Sequence, residues 1–145
     1  MNCKYITLED GLYDKAKSIR IQCFFEGYEN AEQLINDSAE KNGIHLVSLN
    51  EKGEVTGTGR LNLENTTAII SQMAINPIYQ NQGIGGLILD ELILKSKSLG
   101  VDKIRLSARV TAQSFYSKKG FKEEGEVYPS KKTGIQHVDM VLPLV

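Results

Sequence analysis

Residues 80–86, Gln-Asn-Gln-Gly-Ile-Gly-Gly, put three glycines and three side-chain amides within seven positions, and an apolar run begins at Leu87. Just upstream, Ser71-Gln-Met-Ala-Ile75 reads as the end of a strand that Asn76-Pro77 stops, so the order is strand, glycine turn, helix. That arrangement is suited to phosphate. The first N–H groups of a helix have no partner within it and lie at the positive end of its dipole, and glycine lets a ligand approach the backbone. Two common phosphate motifs fail on spacing. A P-loop needs Lys-Ser/Thr after its last glycine, whereas Gly86 is followed by Leu87-Ile88; a dinucleotide fingerprint counted from Gly83 needs Gly or Ala where Ile88 stands. What remains is Gln80-x-x-Gly83-x-Gly85. Other reactive side chains are sparse. Cys3 and Cys23 fit neither a CxxC nor a zinc spacing and read as buried thiols, and His45 and His137 are far apart with no clustered ligands, so no metal is expected.

The elements that must position this turn follow in chain order. Lys4–Leu8 reads as a short strand, and Asp10-Gly11 leads into a helix with Leu12, Ala16, Ile19 and Cys23 on one face. Phe24-Phe-Glu-Gly-Tyr28 breaks that pattern, and Asn30 is a suitable N-cap for a second helix through Lys41, closed by Asn42-Gly43. The aromatic loop between them either covers the core or lines a ligand pocket. Ile44–Leu49, Val55–Leu63 and Thr66–Ile75 are strands joined by short turns, which predicts an antiparallel meander whose last member is apolar on both faces and therefore central. The helix from Ile84 to Leu99 ends at Gly100; Ile88, Leu89, Leu92, Ile93 and Leu99 share a face, while Leu87 and Leu94 fall on the other. Lys103–Ala108 is then a strand parallel to Thr66–Ile75 through a right-handed crossover. A short helix over Thr111–Lys119 and a hairpin of Phe121–Tyr128 with Ile135–Leu142 complete the chain.

These elements read as one domain over residues 1–145, with 41% hydrophobic and 24% charged residues. A formal net charge of −1 argues against nonspecific binding to nucleic acid or to anionic membrane. No segment approaches the roughly 20 apolar residues that span a bilayer. The first residues lack the apolar run of a signal peptide, so a cytoplasmic location is expected.

A second motif stands after the strand that follows the long helix: Ala112-x-x-Phe115-Tyr116-x-x-x-Gly120-Phe121. Together with Gln80-x-x-Gly83-x-Gly85, in that order, it resembles the GNAT superfamily of acyl-CoA-dependent N-acyltransferases. The likeness is specific over about residues 66–142 and rests on element order before that. It implies an α+β (mixed α/β) fold: a central, mostly antiparallel sheet with one parallel pair splayed at the cofactor site and helices on both faces. It also implies acetyl-CoA as co-substrate. Its pantetheine arm would pair with the backbone of Met73, Ala74 and Ile75, where an N–H of Ala74 or Ile75 could stabilise the oxyanion. Its pyrophosphate would lie on Gln82, Gly83, Ile84, Gly85 and Gly86, with side-chain bonds from Gln80 and Asn81, and Ala112 of the second motif would border the cofactor. By the same likeness Tyr116 is the general acid that protonates the departing thiolate.

The resemblance leaves other positions open. Many members carry a glutamate base on the central strand, and Ala68–Met73 contains no acid; a water chain ending at a backbone carbonyl or Ser71, His137, or Glu26 are the alternatives. Arg109 stands where many relatives have asparagine. Arg60 reads as a solvated strand residue or as a group that meets an acidic acceptor. The activity implied is transfer of an acetyl group to a primary amine, small-molecule or peptide, by direct attack in a ternary complex. No covalent enzyme intermediate is required, since neither cysteine stands at a motif position. A noncatalytic acyl-CoA sensor of the same fold is the alternative, and a phosphoryl-transfer enzyme lacks the lysine and metal-binding carboxylates it would need. The acceptor is not legible in the loops Phe24–Asn30 and Pro129–Gly134. Leu87 and Leu94 make a homodimer a reasonable expectation.

Overall fold

A computed structural model describes residues 2–144. Four strands form an antiparallel run in sequence order: β1 (Asn2–Ile6), β2 (Ile44–Leu49), β3 (Val55–Glu64) and β4 (Thr67–Ile75). Next to β4 lies β5 (Lys103–Arg109), in parallel, and β8 (Gln136–Pro143) is antiparallel to β5. Two short strands, β6 (Lys122–Glu123) and β7 (Tyr128–Pro129), both pair with β8. The resulting mixed sheet is covered on both faces. Helix α3 (Ile84–Ser98) packs Ile84, Ile88, Leu89 and Leu92 against Leu46, Leu61, Ile70 and Ile104. On the other face α1 (Leu12–Phe24) packs Tyr13, Ala16 and Ile19 against Ile6, Val47, Val55 and Ala74.

Helix α3 approaches β3 closely because Gly57 and Gly59 lack side chains there. A Cβ on Gly57 would fall 2.8 Å from Ile75 Cδ1 and 2.9 Å from Ile88 Cδ1, and one on Gly59 would fall 2.8 Å from Leu92 Cδ1. The Gly-Thr-Gly segment thus sets the depth at which the helix rests, and with it the place of the glycine turn ahead of it.

The meander, the crossover and the parallel pair all lie where periodicity puts them; the differences have local causes. Strand β1 ends at Ile6, because Asp10 N–H bonds back to Thr7 O and the Asp10 carboxylate accepts from Leu12 N–H, turning Thr7–Gly11 into the lead of α1. The second helix, α2, covers only Ala31–Ile35, and Asn30 makes no side-chain cap. Beyond it Asp37 binds the Ala39 N–H and the Arg60 and Lys132 side chains, so tertiary ion pairs hold residues 36–42 in turns. Leu99 is exposed at the C-cap of α3, and Leu87 and Leu94 are exposed on its outer face. The expected strand 121–128 is interrupted at Gly125 (φ 89°), leaving β6 and β7 either side of a bow. Within the region expected to be one short helix, a 3-10 turn over Val110–Ala112 precedes α4 (Gln113–Ser117).

Candidate active site

Strands β4 and β5 pair only at Thr67–Lys103, Ala68–Ile104 and Ile69–Arg105 and then part, although β5 stays paired with β8 as far as Arg109. The gap widens into a cavity of about 450 Å³ with walls from Ile69–Met73 of β4 and from Leu106, Ser107 and Arg109 of β5. Phe24 and Phe25 close one side, Ala112 and Tyr116 another, and the 130–133 loop with His137 the third. The aromatic loop after α1 therefore does both jobs read for it: Phe25 is buried, stacked edge-on between Phe24 and Tyr28, and it also faces the cavity.

A bulge shapes the β4 wall. Thr58 faces Ala74 while Arg60 faces Ser71, so β4 carries one extra residue, and Gln72 takes φ 54° within it. An amide side chain in left-handed backbone is held by a specific bond, here Arg20 Nε donating to Gln72 Oε1 at 3.1 Å. Arg20 is itself fully buried and doubly bonded to Glu40, at 2.6 and 2.8 Å. Glu40 also accepts from Tyr13 and Arg60, and Arg60 reaches Asp37 and donates to Ser71 Oγ. Arg60 is therefore neither solvated nor available to a ligand: it is 4% exposed and tied into a charge network under the bulge. Burial pushes the Glu40 carboxyl upward, but the bonds from Arg20, Tyr13 and Arg60 outweigh that and hold it at about 2. Asp37 is likewise lowered, its burial outweighed by Arg60 and Lys132. His45, buried and bonded through Nε2 to Glu40 O, is lowered by desolvation and stays neutral.

The glycine turn lies beside the end of β4. Gly83 is the N-cap of α3 with φ 81°, a conformation that favours glycine, and no side chain caps the helix. Leu87 is the first residue to bond back, to Gly83 O, so the N–H groups of Ile84, Gly85 and Gly86 have no partner among the described residues. A Cβ on Gly85 would stand 3.4 Å from Phe115 Cζ and 4.0 Å from Ile75 Cγ1, which brings together both sequence motifs and the end of β4. Asn76 donates its N–H to Thr56 O on β3, so by alternation the Ile75 N–H turns toward the gap. Gln80 does not extend outward; its Nε2 donates to Ile75 O and ties the turn to the strand. Asn81 (φ 64°) and Gln82 are exposed.

Tyr116 is packed edge-on against Phe115 and Phe121, and its hydroxyl has no protein partner among the described residues while the residue borders the cavity. Burial alone pushes it up to about 12, so the phenol keeps its proton. His137 faces Arg109 across the β5–β8 ladder and stacks on Tyr128. Its Nδ1 lies 2.7 Å from Ile135 O, which can only accept; Nδ1 therefore carries a proton, and in the neutral imidazole the lone pair is on Nε2. Glu26 is exposed and does not line the cavity.

Two participants escaped sequence reasoning. Lys119 Nζ lies 3.9 Å from the place of a Cβ on Gly86 and pairs with Asp90 at 2.9 Å, so a cation does flank the helix start; its place three residues after Tyr116 was the available signal. Arg20, far ahead of the meander in sequence, has no local signal at all. Among the described residues no group of three His, Cys, Asp or Glu could hold a metal ion, and no helix is long and apolar enough to cross a membrane.

Splayed parallel strands, an uncapped glycine helix start and a tyrosine facing the gap thus lie close together. The acetyltransferase (GNAT) domain family matches the chain over residues 11–144, and the chain belongs to that family. It is an acyltransferase with acetyl-CoA as co-substrate. A protein of Bacillus subtilis (strain 168) described as "Uncharacterized protein YyaT" is 29% identical over 143 residues, covering 97% of this chain and 94% of that protein. Among solved structures, an aminoglycoside 6'-N-acetyltransferase complexed with coenzyme A superimposes with a TM-score of 0.77 at 15% identity, covering 100% of this chain and 98% of that one. The ribosomal-protein-S18-alanine N-acetyltransferase from Escherichia coli gives 0.73 at 20% identity, covering 99% and 94%. At these identities the structures speak for the fold.

Proposed function

We propose that the protein transfers the acetyl group of acetyl-CoA to a primary amine by direct attack in a ternary complex. The observation that carries this is the convergence of the uncapped α3 start on Ile75 at the end of β4 and on Phe115, whose neighbour Tyr116 brings an unbonded hydroxyl to the cavity between β4 and β5. The pyrophosphate lies on the N–H groups of residues 82–86, with Asn81 beside it and Gln80 bracing the turn; Lys119 adds a positive charge there. Pantetheine amides pair with the backbone of Met73 and Ile75 where β5 has left β4, while Ala74, whose N–H and C=O turn to Thr58 on β3, lies between them; Ala112 is on the opposite wall, and the Ile75 N–H stabilises the oxyanion. Tyr116 gives its proton to the thiolate as the C–S bond breaks.

The amine arrives protonated, and His137 Nε2 is the group placed to take that proton. Its Nδ1–H is held by Ile135 O, Glu26 lies away from the cavity, and Ser71 Oγ is engaged by Arg60. We expect His137→Gln to lower kcat/KM about 100-fold at neutral pH, a loss that shrinks as the pH approaches the acceptor's own pKa and free amine becomes abundant. A uniform loss at every pH would assign His137 to packing instead.

Calorimetric titration with acetyl-CoA tests the reading as a whole. The parent binds; Gly83→Glu, which sets a negative charge at the phosphate site, shows no heat at concentrations that saturate the parent. Gly83→Asn, uncharged and tolerant of left-handed backbone, retains binding. Absence of binding by the parent would defeat the reading. Binding without turnover of any amine would leave a noncatalytic acyl-CoA module of the same fold.

A further inference from the structure

We propose that the acceptor is a primary amine that also carries a carboxylate, and that Arg109 binds this carboxylate; the proposal rests on the acetyltransferase reading above. The cavity is lined by Arg109, Lys131, Lys132 and His137 and by no aspartate or glutamate. Lys132 is already committed, to Asp37 Oδ2 and Leu34 O, and serves to pin the 130–133 loop over α2. Arg109 is not. Its guanidinium lies 5.3 Å from the Phe24 ring centroid, half-buried, and makes no hydrogen bond or ion pair among the described residues. A planar guanidinium stacked on an aromatic face with its edge donors free is prepared for a bidentate oxyanion.

The β5–β8 ladder sets a second polar group beside Arg109. Arg109 and His137 are direct partners across β5 and β8, so their side chains leave the same face of the sheet about 5 Å apart at Cβ. A carboxylate held by Arg109 leaves the amine of the same short molecule within reach of His137 Nε2. Lys131 adds a second cation at the rim. Polyamines, by contrast, would bring two or more positive charges into a cavity lined by Arg109 and Lys131 and by no carboxylate, an arrangement that disfavours them.

The test measures thiol release from acetyl-CoA with paired acceptors that differ only in that charge: glycine and glycinamide, β-alanine and β-alaninamide, γ-aminobutyrate and its amide, with putrescine and kanamycin as cationic members. At least one acid is expected to exceed its amide in kcat/KM by about 10-fold or more, even though the amide is the more readily deprotonated amine. Arg109→Gln should reduce that acid-to-amide ratio about 10–100-fold, in line with a charge-assisted bidentate pair. Arg109→Glu should invert it toward putrescine. Lys131→Gln, an exposed change without bearing on folding, should reduce the ratio about threefold. Preference for amides or cationic amines, no acceleration by any acid, or an unchanged ratio in Arg109→Gln with weakened acetyl-CoA binding would each overturn the proposal. Acetyl-CoA titration of the parent keeps the two readings apart. Intact cofactor binding with no preference for acids removes only the acceptor assignment, whereas absent binding removes the transferase reading beneath it.

Discussion

Replacing Tyr116 by phenylalanine is expected to lower kcat by about 10²–10⁴-fold while the dissociation constant for acetyl-CoA stays within about twofold. The change is clean because the hydroxyl it deletes makes no bond to the protein among the described residues, whereas the ring it keeps is packed on Phe115 and Phe121. Stability should therefore move by less than about 0.5 kcal/mol, the range of substitutions that touch no buried partner. A pH consequence goes with it. An acid works while protonated, and burial raises the Tyr116 phenol to about 12, so no falling limb from this group should appear in the parent's rate profile below about pH 11. Unchanged turnover in the phenylalanine variant would remove Tyr116 from the mechanism.

The largest effect on stability is expected from Glu40→Gln. Glu40 receives Arg20, Arg60 and Tyr13, and both arginines are buried; neutralising the carboxylate leaves Arg20 without a counter-charge and Arg60 with Asp37 alone. Breaking a buried pair in this way costs about 3–5 kcal/mol. Tm should fall by roughly 10–15 °C for a chain of this length. Tyr13→Phe, which deletes one bond to the same carboxylate, should cost about 1 kcal/mol. The sign in pH follows from the carboxylate's depression from 4.5 to about 2. Its stabilisation is complete above 4.5 and is lost as pH falls toward 2, and Glu40→Gln should flatten that acid limb. A variant that melts within about 3 °C of the parent would show that the network contributes little net stability.

The parts of the fold that were legible in the sequence are those written locally. Period-two runs around Asn50–Glu54 and Glu64-Asn65 gave the meander, and Gly83 and Gly100 bracket α3 because both occupy left-handed backbone that glycine favours. The two motifs converge in space, as the approach of Phe115 to Gly85 shows. What escaped depends on partners distant in sequence. Arg60 looks like any alternating strand residue until Asp37 and Glu40 fold back over it, and the same contacts end α2 at Ile35 against a favourable helical sequence. The bulge at Gln72 has no glycine to announce it, since Arg20, 52 positions away, supplies the bond that holds it.

The parting of β4 from β5 has a mechanical side. Only three residue pairs, Thr67–Lys103, Ala68–Ile104 and Ile69–Arg105, join the ladder of the first four strands to that of β5 and β8. The sheet is in that respect two halves joined at a short seam, with α3 packed over Leu46, Leu61 and Ile70 of one and Ile104 of the other. A ligand that pairs with β4 on one side and meets Tyr116 and Ala112 on the other occupies the position of a missing strand. A co-substrate bound there would tie the two halves together along the length that the ladder leaves unpaired, and so would stabilise the fold by mass action as well as take part in the reaction.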